Sequence, residues 1–487
     1  MKSVTQLKRI RRRETNRKPC FWLCIIIVML CGTVYEEVSA SDLESTVRKA
    51  RLYLQTRDSQ EKARLAVELN RFDGSRTELV NALRPRPQSI ILPGYYPAEH
   101  FSSPELRKKH PDDLLYFSVP SSYRSTQPNG LIVFMHGGGK GSPRTAPDRY
   151  MQAPEADTPK SSTRLGDLFE ATGLIGVGPS APWNENDHSR WCLPEADEYI
   201  ADVIRECKER FNIDANRVYL MGHSMGGFGA YHQVQRQPDR FAAVIGSAGM
   251  WSLAHWPVIR GTKLFIVHGE RDAEYGVRDR HTDIAFARWA HRLLEEQAIP
   301  HTFSTHPDGH SFGYAKSRVK EFLLASTDLR RDSAFPHVVL ASPVGYKDSK
   351  CYPVRHNRWV TLERAGKGSL NYNALRGSAR GAQKDGPKED WDRWQLTQTT
   401  VQRSGSMIEA INEGENCFGV KTENVDCFSL WLNEDMVDFD EKIKVIVNGE
   451  TRFHGRIQPT IATLLDSFDR RGDWSLVYPA RITIDLE

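Results

Sequence analysis

Two short runs carry residue types that do chemistry by position. Gly222-His223-Ser224-Met225-Gly226 sets a hydroxyl between glycines two places to either side, and an apolar run, VYLM, leads straight into it. Chance gives roughly 0.1–0.2 such G-x-S-x-G matches in a chain of this length, so the context carries the signal. An apolar strand before the serine and a small-residue helix start after it make a nucleophile elbow. The turn holds the serine in a tight, exposed position, and the glycines let strand and helix pack past it.

A serine hydroxyl is a weak nucleophile at neutral pH and needs a base that is itself held by a carboxylate. On a sheet of this kind the chain order is serine, acid, histidine. The stretch KLFIVHGERDAEYG ends an apolar run in a loop carrying Asp272; Glu270 competes but sits nearer the strand end. HTFSTHPDGHSF ends an alternating strand in a turn at Gly309. His310 lies just beyond that turn, and His306, followed by Pro307, is the alternative.

The second run is His136-Gly137-Gly138-Gly139, within FMHGGGKGSP. A phosphate loop needs G-x-x-x-x-G-K-[ST], but Phe134 stands five places before Gly139 and Gly141 follows Lys140. G-x-G-x-x-G fails as well. Acyl transfer through serine creates an oxyanion that needs aimed donors. One is the backbone N–H of Met225. The other comes from a glycine-rich loop after an earlier strand, with Gly138 the first choice and Gly137 the second.

The elements that must position these groups follow an alternating pattern. LLYFSV (114–119), LIVFM (131–135), LIGVG (174–178), VYLM (218–221), AAVIG (242–246) and LFIVH (264–268) are strand-like, and Pro194–Phe211 and Arg280–Gln297 are helix-like. This predicts an α/β fold: a mostly parallel sheet with helices on both faces over 110–330. Residues 41–90 read as a short helical segment, with SDLE at 41–44 and Asp58 with Glu61 as capping boxes. After Asp332 no helix is expected. WVTLE, FSLWL, IKVIVNGETRF and ARITIDL alternate in β fashion, and Asn448-Gly449 is a hairpin signal. Residues 335–487 therefore read as an all-β, sandwich-like domain, with 377–390 as a surface loop. Arg471-Gly472-Asp473 is expected to be a turn, not an adhesion motif.

With these motifs in place, residues 110–325 resemble the α/β-hydrolase superfamily. FNIDANRVYLMGHSMGGFGAYHQVQRQPDRFAAVIGSAG is similar to compact secreted esterases near the feruloyl esterases and polyhydroxybutyrate depolymerases, and to prolyl-oligopeptidase-like catalytic domains. The resemblance implies Ser224 as nucleophile with Asp272 and His310 as partners. A propeller ahead of the catalytic domain is not expected, which lowers the peptidase reading. Loop 181–191 carries Trp183 and Trp191, and Trp251 follows another strand. Loops at this edge build a substrate rim, so these three tryptophans are either rim or packing.

Residues 1–40 read as a secretory signal peptide: a basic start, about fifteen apolar residues and Val38-Ser39-Ala40. An uncleaved anchor is the alternative, but the run is short for a span. Beyond residue 40 there remain 58 basic and 59 acidic residues, so no nucleic-acid or membrane partner follows from charge. Five cysteines remain there, Cys192, Cys207, Cys351, Cys417 and Cys427, with no zinc spacing; a Cys417–Cys427 bridge is conceivable. The expectation is a secreted or periplasmic serine hydrolase acting on small-molecule or polysaccharide esters, without metal or cofactor. A serine peptidase is the alternative enzyme, and a glycan- or protein-binding protein with an idle hydrolase domain is the alternative of another class.

Overall fold

The computed structural model describes residues 42–87, 90–138, 142–154, 162–181, 190–272, 282–379 and 394–486. The leader assigned to residues 1–40 lies outside these, as does Ser41. Among the described residues, no helix is long and apolar enough to cross a membrane. The chain divides into two compact units, up to Leu83 and from Arg84 onward.

The first unit contains helices 42–55, Ser59–Leu69 and Arg76–Leu83, as the apolar spacing predicted. The Asp58 carboxylate accepts the Gln60 N–H at 2.9 Å and so starts the second helix. Lys49 and Glu68 pair at 3.1 Å and tie the first helix to the second.

The second unit is built on an eight-stranded sheet. Its strands are β1 (Gly94–Glu99), β2 (Leu115–Val119), β3 (Asn129–Met135), β4 (Ile175–Pro179), β5 (Ile213–His223), β6 (Ala243–Ser247), β8 (Lys263–Gly269) and β9 (His301–His306). A two-residue strand, β7 (Leu253–Ala254), belongs to another sheet. The spatial order is β1-β2-β4-β3-β5-β6-β8-β9, and β2 alone runs against the rest. The sheet is therefore mostly parallel, as the alternation of strands and helices predicted. After β3 the chain steps out to β4 and returns across β3 to β5. That reversal opens a crevice at the carboxyl ends of β3 and β5, where the HGGG run and Ser224 leave the sheet.

The central strands are apolar on both faces because both faces are covered. Leu131, Val133, Leu220, Val244 and Ile266 join one core with the helices Pro194–Arg210, Met225–Arg236 and Ile284–Glu296. Their strand neighbours Ile132, Phe134, Met221, Ile245 and Val267 join the opposite core with Gly166–Thr172 and Phe312–Leu324.

Beyond residue 335 two sheets face each other. One has β10 (His337–Ser342), β17 (Ser406–Gly414), β18 (Cys417–Glu423), β20 (Ile443–Val447) and β21 (Glu450–Gly455). The other has β13 (His356–Asn357), β14 (Val360–Ala365), β19 (Val425–Leu432) and β22 (Ala480–Asp485). Val338, Leu340, Phe418 and Val445 from the first meet Leu362, Phe428, Leu430 and Ile482 from the second, which makes a sandwich. Asn448 and Gly449, with φ of 50° and 89°, turn the predicted hairpin.

This sandwich is built into the α/β layer. Val339 and Ala341, the alternate residues of β10, join the core beneath the large sheet. A hairpin of β11 (Val344–Lys347) and β12 (Lys350–Tyr352) packs against helix Met225–Arg236, where Gln235 and Arg236 donate to the carbonyls of Gly345 and Val344. The long hairpin of β15 (Ser369–Ala379) and β16 (Trp394–Ser404) pairs with β7. Residues 377–379, expected in a loop, continue β15; the rest of that expected loop lies outside the described residues.

One expectation fails outright. A helix, Ile461–Arg471, stands in the region expected to be all β. Thr460 caps it by accepting the Thr463 N–H at 3.1 Å, and Gly472 closes it in the left-handed region at φ 63°. Ile461, Leu464 and Leu465 give it a buried stripe at helical spacing. Arg471-Gly472-Asp473 is thus a helix end, with the side chains of Arg471 and Asp473 buried. Arg471 donates twice to the Arg358 carbonyl, at 3.1 and 3.0 Å. Asp473 pairs with Arg331 at 2.8 Å and Lys208 at 3.5 Å. Burial would raise the Asp473 carboxyl, but the two cations outweigh it and hold it well below the carboxylate range. The five cysteines among the described residues are free thiols, so Cys417 and Cys427 are not bridged.

Removing one member of such a buried pair leaves the other charge unpaired. Asp473→Asn is expected to destabilise the chain by roughly 3–5 kcal/mol, measured by denaturant unfolding at pH 7, against a near-neutral Asp435→Asn control.

Candidate active site

Ser224 links the end of β5 to helix Met225–Arg236, and its backbone sits at φ 56°, ψ −117°. A residue with a side chain rarely adopts φ above zero, and here the packing around it enforces the turn. A Cβ on Gly222 would meet the Gly226 carbonyl oxygen at 2.0 Å, and one on Gly226 would meet the Met135 carbonyl oxygen at 1.9 Å. Only glycine at both places lets the helix start this close to β5 and β3. The Ser224 N–H donates to the Ser247 carbonyl at 3.0 Å and its own carbonyl accepts from Phe228, pinning the turn between β6 and the helix.

The hydroxyl meets an imidazole. His310, in the turn between β9 and helix Phe312–Leu324, brings Nε2 to 2.9 Å from Ser224 Oγ. Its Nδ1 lies 3.0 and 3.1 Å from the two Asp272 carboxylate oxygens. Asp272 follows β8 and is almost wholly buried, whereas about a third of the His310 side chain is exposed. The three residues singled out in the sequence thus form one hydrogen-bonded chain. Their elements bring them together because β8 and β9 pair in register, Gly269 beside His306.

The competing residues lie elsewhere. Glu270 accepts from Thr305 Oγ1 at 2.7 Å on the exposed side of the loop. His306 is buried at the end of β9 and stacks on Tyr314. Burial, with the positive side of His268 next, pushes it below the usual histidine range.

Sequence reasoning missed two partners of the acid. His268, on β8, places Nε2 3.0 Å from Asp272 Oδ2, and Thr282 Oγ1 donates to Oδ1 at 3.0 Å. The only signal was His268 standing four residues before Asp272 at a strand end, indistinguishable there from a packing histidine. Burial alone would raise the Asp272 carboxyl. Hydrogen bonds from His268 and His310 and their charges win and hold it at about 2.

Gly137 lies directly against the serine, while Gly139 lies outside the described residues. A Cβ on Gly137 would stand 3.0 Å from the His223 carbonyl oxygen and 3.1 Å from Ser224 Cβ. Gly138 lies in the left-handed region at φ 137°, where a Cβ would run into Ser142 Oγ. Met225 opens the helix, so its N–H is among the donors without an intrahelical acceptor, at the positive end of the macrodipole. His136 is fully buried, its Nδ1 2.8 Å from the Gly137 carbonyl. A carbonyl only accepts, so Nδ1 carries the hydrogen. Burial pushes this imidazole down to about 4 and keeps it neutral.

The tryptophans do not form a rim. Trp191 is fully buried and donates to the His136 carbonyl at 3.2 Å; Trp251 is fully buried and donates to the Phe286 carbonyl at 3.0 Å. Each packs under its loop with its one polar atom satisfied, which is how a buried indole is normally used. Trp183 lies outside the described residues. Among the described residues no group of three or more histidine, cysteine or carboxylate side chains is arranged to hold a metal.

Comparison with known proteins finds likenesses over part of the chain. A family described as serine aminopeptidase, S33, matches residues 173–272, a stretch that includes Ser224 and Asp272. A bifunctional acetylxylan esterase/xylanase, XynS20E of Neocallimastix patriciarum, is 29% identical over 115 residues, 23% of this chain. The matched stretch is 17% of that protein's length. Among solved structures, a ferulic acid esterase is 16% identical with a TM-score of 0.36, covering 49% of this chain and 99% of its own. The Staphylococcus aureus fluorophosphonate-binding serine hydrolase FphF is 17% identical with a TM-score of 0.35, covering 48% and 98%. The large sheet, mostly parallel and covered by helices on both faces, is an α/β fold.

Two outcomes follow from the geometry. Gly226→Ala forces a Cβ into the Met135 carbonyl, and it is expected to cost on the order of 3 kcal/mol or more, read as a lowered melting midpoint. The Asp272 carboxyl titrates below its usual ~3.9. Its ionisation therefore stabilises the fold above about pH 4 and is lost as pH falls through about 2. Wild type should lose about 2 kcal/mol to this group between pH 5 and pH 1, and Asp272→Asn should lack that part of the acid limb.

Proposed function

We propose that this chain is a serine hydrolase that cleaves carboxylic esters through an acyl-enzyme. The observation that carries the reading is the unbroken chain from Ser224 Oγ through His310 to Asp272, with links of 2.9 and 3.0 Å. Nε2 of His310 takes the Ser224 proton as Oγ attacks the ester carbonyl, and then gives it to the departing alcohol. Asp272 keeps the Nδ1–H tautomer and stabilises the imidazolium. The developing oxyanion is received by the Met225 N–H and by the backbone of Gly137 and Gly138. Water, activated by the same imidazole, then releases the acid.

Ester specificity is supported by the stretch shared with an acetylxylan esterase. That points to acylated polysaccharide or small acyl esters as the substrate class. A serine peptidase is the second reading, favoured by the family description over residues 173–272. Export through the basic and apolar leader at residues 1–40 fits a substrate found outside the cell.

A fluorophosphonate probe is expected to label wild type and not Ser224→Ala. Equal labelling of the two overturns the reading in favour of a binding protein. Asp272→Asn should lower kcat for p-nitrophenyl acetate by about 10⁴. A panel of acetyl, feruloyl and longer acyl esters beside aminoacyl anilides separates esterase from peptidase. A higher kcat/KM on anilides would transfer the assignment to the peptidase reading.

A further inference from the structure

Asp272 has more partners than orienting one imidazole requires. His310 spans both carboxylate oxygens, Thr282 Oγ1 donates to Oδ1, and His268 Nε2 lies 3.0 Å from Oδ2. His268 and Asp272 each keep about 1% of the side chain exposed. The same Nε2 lies 2.7 Å from the Thr282 carbonyl oxygen. That oxygen has no hydrogen to give, so Nε2 must carry the hydrogen; it bonds to the carbonyl, and the carboxylate oxygen stands 3.0 Å from the same nitrogen. The tautomer of His268 is thereby set by geometry. A buried carboxylate with one donor could turn about its Cβ–Cγ bond; with donors on both oxygens from β8 and from residue 282, it cannot.

We propose that His268 is a positioning residue of the hydrolytic site, fixing through its Nε2–H the carboxylate that in turn orients His310 towards Ser224. The proposal rests on the reading of Ser224, His310 and Asp272 as the reacting chain. Its consequence is specific. With the His268 donor gone, the Asp272 charge is shared among fewer hydrogens and draws the His310 proton more strongly. The imidazole then stays protonated to higher pH, and the acid limb of kcat/KM moves up. Among the described residues, the other charged or titratable groups around this unit include His223, whose ring centre is 5.1 Å from that of His310, and His306, Glu270, Arg271 and Asp308 beside the acid loop. Each remains in place in the variants, so the displacement reports the lost donor.

The test compares wild type with His268→Phe, His268→Asn and His268→Gln on p-nitrophenyl acetate across pH, with melting curves as the folding control. Phenylalanine has no donor, and asparagine is too short to put one at the Nε2 position. Either is expected to lower kcat roughly ten- to hundredfold, the worth of one hydrogen bond to a charged group, with KM little changed and the acid limb displaced upward. Glutamine reaches the Nε2 position and should recover most of that loss. Folded Phe and Asn variants with the wild-type limb and rate overturn the proposal. If both fail to fold, nitrogen-15 spectra of wild type decide: Nε2 of His268 is expected protonated at neutral pH, and a protonated Nδ1 with bare Nε2 overturns it. Failure of the fluorophosphonate probe to label wild type would instead overturn the hydrolase reading, leaving the tautomer measurement independent.

Discussion

Everything at this site depends on how closely a helix can start beside the strand that precedes it. Ser224 occupies a backbone conformation that costs of order 1–3 kcal/mol, and only its surroundings sustain it. The side chains that would forbid so close an approach are absent at Gly222 and Gly226, where backbone oxygens stand within 2.0 Å of where a Cβ would lie. The strain is held by cores on both faces of the sheet. Alternate residues of β3, β5 and β6 lock into one or the other, so neither strand can slip by a residue without exposing its whole apolar set. The hydroxyl is thus exposed at the end of a strand that is itself immobilised.

The electrostatics around Asp272 address a different difficulty. A buried carboxylate is expensive unless its oxygens are bonded, and here burial raises the group while its histidine partners lower it further than burial raises it. Asp473 meets the same difficulty with full charges, Arg331 and Lys208. The contrast has a chemical reason. Permanent cations suit a structural anchor between the α/β layer and the sandwich, but beside Asp272 they would neutralise its pull on His310. Imidazole and hydroxyl donors hold the carboxylate ionised while leaving that pull intact.

Much of this was legible in the sequence. The G-x-S-x-G turn, the Ser, Asp, His order and the glycine run come from short-range rules, and the structure joins Ser224, His310 and Asp272 by hydrogen bonds. The strands read from apolar runs were found because parallel strands buried on both faces have nearly continuous apolar sequence. What escaped was set by long-range contact. His268 looks like any strand-end histidine until Asp272 folds back onto it. Trp191 and Trp251 look like rim residues until the carbonyls of His136 and Phe286 are seen to take up their N–H groups. The helix Ile461–Arg471 is a different kind of miss: its Thr460 cap, its apolar stripe and Gly472 are local signals, outweighed by the strand pattern around them.

The sandwich is best understood through the helix that follows Ser224. Gln235 and Arg236, in the last turn of that helix, donate to carbonyls of the β11 hairpin, and Arg236 also pairs with Asp197 on helix Pro194–Arg210. Phe228, one turn after Ser224, stacks on Tyr346 of the same hairpin. The helix is thereby gripped at its start by the crowded glycine turn and at its end by the C-terminal region. A helix fixed at both ends cannot rock to relieve the conformation of Ser224. The residues after 335 thus act on the site through the backbone of Ser224, whatever surface they also present.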